Sequence, residues 1–396
     1  VFGVGFYKFN GTTWTNYNIE THPELPSNFF HNVSAAPDNV IYLSTWGKGF
    51  TRLKNNQFET FDAYNTDLIG IPDATNFLVI YDVKEDSKQN AWIMNFWAAN
   101  SKTISVLTAD SSWYHYEFGS PLFPQTVQTG PMVIDQFDTK WFVVSTGSRG
   151  LYYFNENGTF NNTEDDTWGV LKASSGLNSD IIYALAVDKR GELWVGTSLG
   201  VNIITDPSRP NDRKYSVFGL RQQTINCISV DPLNRKWVGT RQGVFVMTPD
   251  GSSLLDQYDS RNSPLPTDDI KCIAIDEITG MVYIGTDFGL STLTTESMKA
   301  NDTYDELFVY PNPYIINNSS NSATLSIDGL IENSQIKVIT ISGKLINEFE
   351  APGGRIAFWD GRDQDGKLVP SGIYIVIAYD QEVNNISSTK VAVIRQ

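Results

Sequence analysis

Cysteine is nearly absent from this 396-residue chain: Cys227 and Cys272 are the only two. Two thiols so far apart cannot staple a small disulfide scaffold, and they lack the paired spacing of a zinc site. Histidine is almost as scarce. His22, His31 and His115 are the only three, and none has a carboxylate at ligand spacing, so surface or turn positions are expected rather than a triad or a metal centre. Basic residues are also short, with 29 Lys and Arg against 45 Asp and Glu and a net charge of −16. A nucleic-acid binder needs a basic face to neutralise phosphates, and this chain would repel that polymer at long range. Long apolar runs are missing as well. The longest, residues 181–187 and 373–379, fall far short of the roughly 20 residues of a membrane helix, so no transmembrane segment is expected. No leader with a charged and then an apolar region follows Val1, and the first residues read as a strand in mid-course. The chain is therefore expected to be the C-terminal part of a longer protein.

Apolar and aromatic residues are plentiful, at 41% and 13%, enough for a large core and against disorder. They are also periodic. Ile41-Tyr42-Leu43, Ala91-Trp92-Ile93, Lys140-Trp141-Phe142, Leu193-Trp194-Val195, Lys236-Trp237-Val238 and Val282-Tyr283-Ile284 recur about every 48 residues. Each repeat holds four strand-like pieces separated by Pro, Gly, Asn and Asp turns, which describes a propeller blade. The recurrent aromatic sits in the second strand, where a flat ring fills the wedge between blades, so its role is packing rather than ligand stacking. Residues 5–9 and 13–17 read as the last two strands of a blade begun upstream of Val1. Residues 270–293 supply three strands and no clear fourth. The expectation is an all-β, seven-bladed propeller over residues 1–305, its first blade truncated and its ring completed by upstream residues, since open edges invite pairing.

The periodicity stops near residue 305. Alternating segments at 308–310, 323–327, 336–341, 344–349, 355–359, 373–379 and 390–394 predict an immunoglobulin-like β-sandwich over residues 306–396.

The wording of the repeat, with LWVGTSLGV, KWVGTRQGV and VYIGTDFGL and the preceding Leu177-Asn178-Ser179-Asp180-Ile181, resembles the two-component-regulator propeller family. The likeness is strong from residue 176 onward and weak over 66–130. The C-terminal segment resembles the C-terminal sorting domains of the type IX secretion system. Its matching residues are Pro311, Asn312 and Pro313 after Tyr310, the turn Ile341-Ser342-Gly343-Lys344, Trp359, Asp360 and Gly361, then Gly372 and Tyr374, and the terminal run 390–395. Propeller and sandwich together are similar to the PorZ family of surface components of that system. That resemblance implies a non-enzymatic protein on the extracellular side of the outer membrane. It also implies work with a PorU-type sortase and with PorV- and PorQ-type outer-membrane proteins, and presentation of anionic lipopolysaccharide to the sortase. A secreted cargo whose propeller binds carbohydrate or protein is the alternative. A hybrid-regulator ectodomain would need a membrane helix and a kinase after the propeller, where a sandwich stands.

Chemical motifs are few. Gly196-Thr197-Ser198-Leu199-Gly200 matches the nucleophile elbow in form, yet Arg241 and Asp287 occupy the same turn of later repeats, and strand follows strand where the elbow needs a helix. No catalytic residue and no cofactor is expected. Asp360, Asp363 and Asp365 resemble part of a calcium loop, but the closing acidic residue is missing and Ser371-Gly372 stands in its region, so turn chemistry is expected and no metal. Cys227 and Cys272 occupy equivalent first-strand positions and read as small buried packing residues.

One constellation rises above these. The turns between the second and third strands emerge on one face of a propeller, and here they carry Trp46 and Lys48, Phe96 and Trp97, Ser148 and Arg149, Arg241 and Gln242, Asp287 and Phe288. Cations suit phosphate or carboxylate and aromatic faces suit sugar rings, so Trp46, Lys48, Trp97, Arg149, Arg241, Gln242 and Phe288 form the expected rim for an anionic glycan.

Overall fold

Short alternating runs punctuated by Gly, Asn and Asp turns fold into strands throughout, in a computed structural model that describes residues 3–116, 127–304, 306–316, 324–351, 353–380, 382 and 384–395. Strands β1 (Phe6–Phe9) and β2 (Trp14–Tyr17) form a hairpin. Four-stranded antiparallel meanders follow: β3 (Phe30–Ala36), β4 (Val40–Gly47), β5 (Phe50–Lys54) and β6 (Gln57–Phe61), then β7 (Leu78–Glu85), β8 (Ala91–Asn95), β9 (Ile104–Leu107) and β10 (Trp113–Tyr116). The third comprises β11 (Thr129–Ile134), β12 (Lys140–Val144), β13 (Gly150–Asn155) and β14 (Thr167–Leu171). The fourth comprises β15 (Ile182–Val187), β16 (Leu193–Thr197), β17 (Gly200–Ile204) and β18 (Lys214–Ser216). The fifth comprises β19 (Ile225–Val230), β20 (Lys236–Thr240), β21 (Gly243–Met247) and β22 (Leu254–Tyr258). Three strands, β23 (Ile270–Asp276), β24 (Met281–Thr286) and β25 (Gly289–Thr294), complete the series. These meanders are propeller blades. The second is as regular as the rest, although the repeat is weakest there in sequence. The chain divides into two compact units, Val1–Cys227 and Ile228–Gln396.

In the first unit, alternate residues of one strand serve two cores. Ile93 packs with Tyr42, Phe50 and Ile80 of the first two blades, whereas its neighbours Trp92 and Met94 pack with Phe142, Val144 and Phe154 of the third. Trp141 and Val143, in turn, pack with Leu193, Val195 and Ile204 of the fourth. A strand sandwiched on both faces is buried along its whole length, as β8, β12, β16 and β20 are. The recurrent aromatics at 42, 92, 141, 194 and 237 are 2% exposed or less, as packing residues should be.

A second recurrence supports the first. An aspartate six residues before the tryptophan accepts the indole N–H: Asp86 from Trp92 at 2.9 Å, Asp135 from Trp141 at 2.8 Å and Asp231 from Trp237 at 3.1 Å. Its other oxygen caps the intervening turn, so a single carboxylate fixes both turn and ring. Lys140, wholly buried beside Trp141, forms an ion pair with Glu156 and holds its Nζ 3.7 Å from the Trp92 ring centroid. Burial pushes the Lys140 amine below its ordinary pKa, against the pull of Glu156.

In the second unit, β26 (Phe308–Tyr310), β28 (Leu325–Asp328) and β31 (Ile356–Trp359) form one sheet of the C-terminal region. The other comprises β27 (Tyr314–Ile316), β33 (Ile386–Arg395), β32 (Gly372–Tyr379), β29 (Gln335–Thr340) and β30 (Leu345–Glu350), in that order. The two sheets share one core that includes Tyr314, Ile327, Val338, Trp359, Val376 and Val391. The three-residue β27, paired parallel to β33, escapes a sequence reading because two prolines stand before it and no alternation can develop. Within this unit the lead-in to β31 touches the last blades: Arg355 N–H donates to the Met298 carbonyl at 2.9 Å, and a Cβ on Gly354 would lie 2.7 Å from Leu233.

The motif residues between Pro311 and Tyr374 hold this region together. Asn312, between Pro311 and Pro313, donates to the Lys390 carbonyl at 3.0 Å and accepts from Ala392 N–H at 3.1 Å. Trp359 donates to the Arg362 carbonyl at 2.8 Å, and Asp360 caps the next turn through Arg362 N–H. Gly361 has φ +74°, and a Cβ there would meet Ile316 at 2.5 Å. Gly372 opens β32, and Tyr374 donates to the Pro370 carbonyl at 2.8 Å, the bond that defines a tyrosine corner. Asp363 accepts from Asp365 and Lys367 N–H, which is turn chemistry.

Candidate functional site

Three consecutive blades of the first unit enclose a cleft of about 360 Å3. Tyr81 and the β8–β9 turn residue Phe96 line one side, with ring centroids 6.3 Å apart and planes 20° from parallel. Thr129, Gly130, Pro131 and Val143 of the third blade lie between. Arg149, in the β12–β13 turn, and residues 180–183, which lead into β15, complete the lining. Behind the Tyr81–Phe96 pair stand His31, edge-on to Tyr81 at 5.8 Å, and Trp46, 5.3 Å from Phe96 and 5.7 Å from His31. Trp46 is 47% exposed and Tyr183 43%, so the cleft opens onto an aromatic surface.

Hydrogen bonds fix the polar members. Arg149 Nε donates to the Ser145 carbonyl at 2.8 Å, and its terminal nitrogens have no partner among the described residues. Asp180 Oδ1 accepts from Ala173 N–H at 2.6 Å. Thr129 Oγ1 and Ser145 Oγ are turned away onto the carbonyls of Asn95 and Gln128. Beneath Tyr81, the buried Asp82 ties three strands: it accepts from Asn32 Nδ2 at 3.0 Å and from Met132 N–H at 3.2 Å. Burial raises the Asp82 carboxyl above its ordinary pKa, opposed by Lys84. Partial burial among the rings lowers His31, opposed by hydrogen bonding to the Tyr81 backbone.

Of the rim residues predicted from sequence, Arg149 lines this cleft and Trp46 backs it through Phe96. Lys48 is exposed beside it in chain order, its backbone bridged to Leu78, and is not part of the lining. Trp97 is half-buried, with a buried Nε1 that has no partner among the described residues. Arg241, Gln242 and Phe288 belong to the other unit. There Arg241 and Gln242 are exposed, Gln242 N–H capping onto Thr240, and Phe288 is 79% exposed beside Asp287, which pairs with Lys271 at 3.1 Å. Tyr81 went unnoticed because it lies in the stretch 66–130, where the repeat is weak in sequence. Asp180 and Tyr183 lie in the well-matched stretch from residue 176, where they read as part of the repeat rather than as a site.

The remaining reactive residues have ordinary partners. Ser198 lies in a strand-to-strand turn and bonds Ser179 Oγ at 2.9 Å. His22 and His115 face the hydroxyls of Thr21 and Ser105 at 3.0 and 2.8 Å. The cysteines depart from expectation: Cys227 is half-buried and Cys272 exposed. In β23, Ile270 and Ile273 take the buried positions and Cys272 is exposed opposite Gly285, whereas Ala184, which follows the same bulge in β15, is buried. The difference lies in the last meander, whose strand β25 is largely exposed.

A family model described as the two-component regulator propeller matches residues 176–198. Among solved structures, the chain is similar to PorZ, an essential surface component of the type IX secretion system of Porphyromonas gingivalis. Identity is 26%, the TM-score is 0.64, and the match covers 98% of this chain and 55% of that one. It is also similar in fold to the extracellular domain of the hybrid two-component system BT4673 of B. thetaiotaomicron, at 15% identity and a TM-score of 0.51, over 93% of this chain and 51% of that one. The chain thus spans about half the length of each. A gluconolactonase of Xanthomonas campestris matches with a TM-score of 0.42 and 12% identity, over 65% of this chain and 82% of that one, a likeness too low to bear on chemistry. No curated protein sequence matches.

Proposed function

We propose that this chain is a non-enzymatic cell-surface component of the type IX secretion attachment complex, acting on the extracellular side of the outer membrane. Residues 1–305 act as a seven-bladed propeller, the β1–β2 hairpin counting as its truncated first blade, and residues 306–396 as an immunoglobulin-like sorting-type sandwich. The propeller offers its loop face to an anionic lipopolysaccharide or glycan, which the protein presents to a PorU-type sortase in company with PorV- and PorQ-type proteins. The observation that carries this reading is the likeness to PorZ, which runs through propeller and sandwich alike, over 98% of the chain at 26% identity. The Arg149 cleft supports the glycan part, because guanidinium and stacked aromatic rings are the groups that hold a charged sugar.

Affinity isolation of the protein from its own outer membrane tests the reading. The sortase and its two outer-membrane companions are expected in the eluate, together with lipopolysaccharide and with the sandwich still attached. Recovery without these partners and with the sandwich removed would make the chain a cargo instead.

A further inference from the structure

We propose that the Arg149 cleft holds one carboxylated sugar residue, a uronic acid, with its ring on the aromatic wall, its carboxylate on Arg149 and a hydroxyl on Asp180. The inference rests on the glycan-binding reading above and narrows it to one cleft and one class of sugar.

Size comes first. At about 360 Å3 the cleft lies at the small end of the roughly 300–1,000 Å3 spanned by small-molecule sites, room for one sugar ring with its linkages running outward. Shape agrees. Tyr81 and Phe96 stack into one wall, and Tyr183 and Ile181, 43% and 37% exposed, stand at the mouth. Val143, Ile182 and Pro131 give an apolar floor. A pyranose has an apolar C–H face that lies flat on such rings and an equatorial girdle of hydroxyls that must find polar partners.

The polar groups decide the class. With the Thr129 and Ser145 hydroxyls turned onto backbone carbonyls, Arg149 and Asp180 are the charged side chains left to meet a ligand, beside the phenol groups of Tyr81 and Tyr183. Tethering Nε to Ser145 aims the two terminal nitrogens of Arg149 as a fork, the geometry that a planar carboxylate accepts in two parallel bonds. Asp180 Oδ2, without a partner among the described residues, accepts from a sugar hydroxyl. The single cation Arg149 matches one carboxylate charge, whereas the second charge of a phosphate would find no further cation in the lining and would face Asp180.

The test titrates the purified 396-residue chain with methyl glucuronide, methyl glucoside and glucose 6-phosphate, followed by ligand-observed NMR, and in parallel with purified lipopolysaccharide. The glucuronide is expected to bind about tenfold more tightly than the other two, the difference that a charge-assisted pair contributes. Arg149→Ala should erase that preference, and Tyr183→Ala should weaken glucuronide and glucoside alike. Thermal melting checks that both variants fold, as exposed positions allow. Equal binding of the three probes, preference for the phosphate, or an Arg149→Ala variant that keeps the preference overturns the assignment. Lipopolysaccharide binding without glucuronide binding overturns this inference and leaves the proposed function standing; loss of both overturns the two together.

Discussion

Asp135 and Trp141, six positions apart, are locked by one carboxylate: Oδ2 accepts the indole N–H at 2.8 Å, and Oδ1 accepts the backbone N–H of Phe137 and Thr139 at 2.9 and 3.0 Å. The same arrangement recurs at Asp86–Trp92 and Asp231–Trp237, so it belongs to the blade. It joins the turn between the first two strands to the ring that fills the wedge between blades. Asp135→Ala strands buried donors at about 1–3 kcal/mol each and is expected to cost about 2–4 kcal/mol in urea denaturation. A change under about 0.5 kcal/mol, the range of ordinary surface substitutions, would show that the bond is incidental.

The buried Lys140–Glu156 pair makes a second prediction. Glu156→Gln leaves a buried ammonium uncompensated, a change that costs about 3–5 kcal/mol in such pairs. Replacing both partners, as Lys140→Met with Glu156→Gln, removes the stranded charge and is expected to recover most of that loss. Additive losses in the double variant would mean that the two groups act independently.

Asp166 supplies a pH dependence. Burial, with Asp165 and Glu156 nearby, pushes its carboxyl up to about 6. A raised carboxyl favours the protonated form in the folded state, so its contribution is fully present below the ordinary aspartate range and is lost as pH rises through about 6. Asp166→Asn is therefore expected to stabilise the chain at pH 7.5 and to change little near pH 4. Urea midpoints at the two pH values check this, and an equal effect at both would contradict it.

Two glycines of the C-terminal motif separate strain from pattern. Gly361 combines φ +74° with a virtual Cβ only 2.5 Å from Ile316, whereas at Gly372 the nearest atom is 3.7 Å away. Gly361→Ala is expected to cost about 1–3 kcal/mol, and Gly372→Ala to stay within about 0.5 kcal/mol. Reversal of that order by thermal or urea denaturation would overturn the structural account of the motif.

The blades were legible because burial on both faces forces apolar residues along the whole second strand, and one aromatic per repeat marks the register. The aspartate partners were in plain view at a constant spacing, yet an Asp in a turn looks like any other turn residue until its second oxygen is seen to hold an indole. Strand β27 was illegible because two prolines stand before it and no alternation can develop, and Cys272 was misjudged because the last meander is left exposed where the equivalent Ala184 of β15 is buried. For the site, Trp46 and Arg149 could be found from the common turn they occupy. Tyr81 and Tyr183 could not, because residues from different blades meet only when successive blades are packed side by side.

The most direct measurement of the central claim is a clean deletion of the gene, followed by the fate of other proteins that carry type IX sorting domains. The account predicts that these cargoes accumulate with the sorting domain still attached and fail to reach the surface in finished form. Normal maturation of those cargoes in the deletion strain would contradict it.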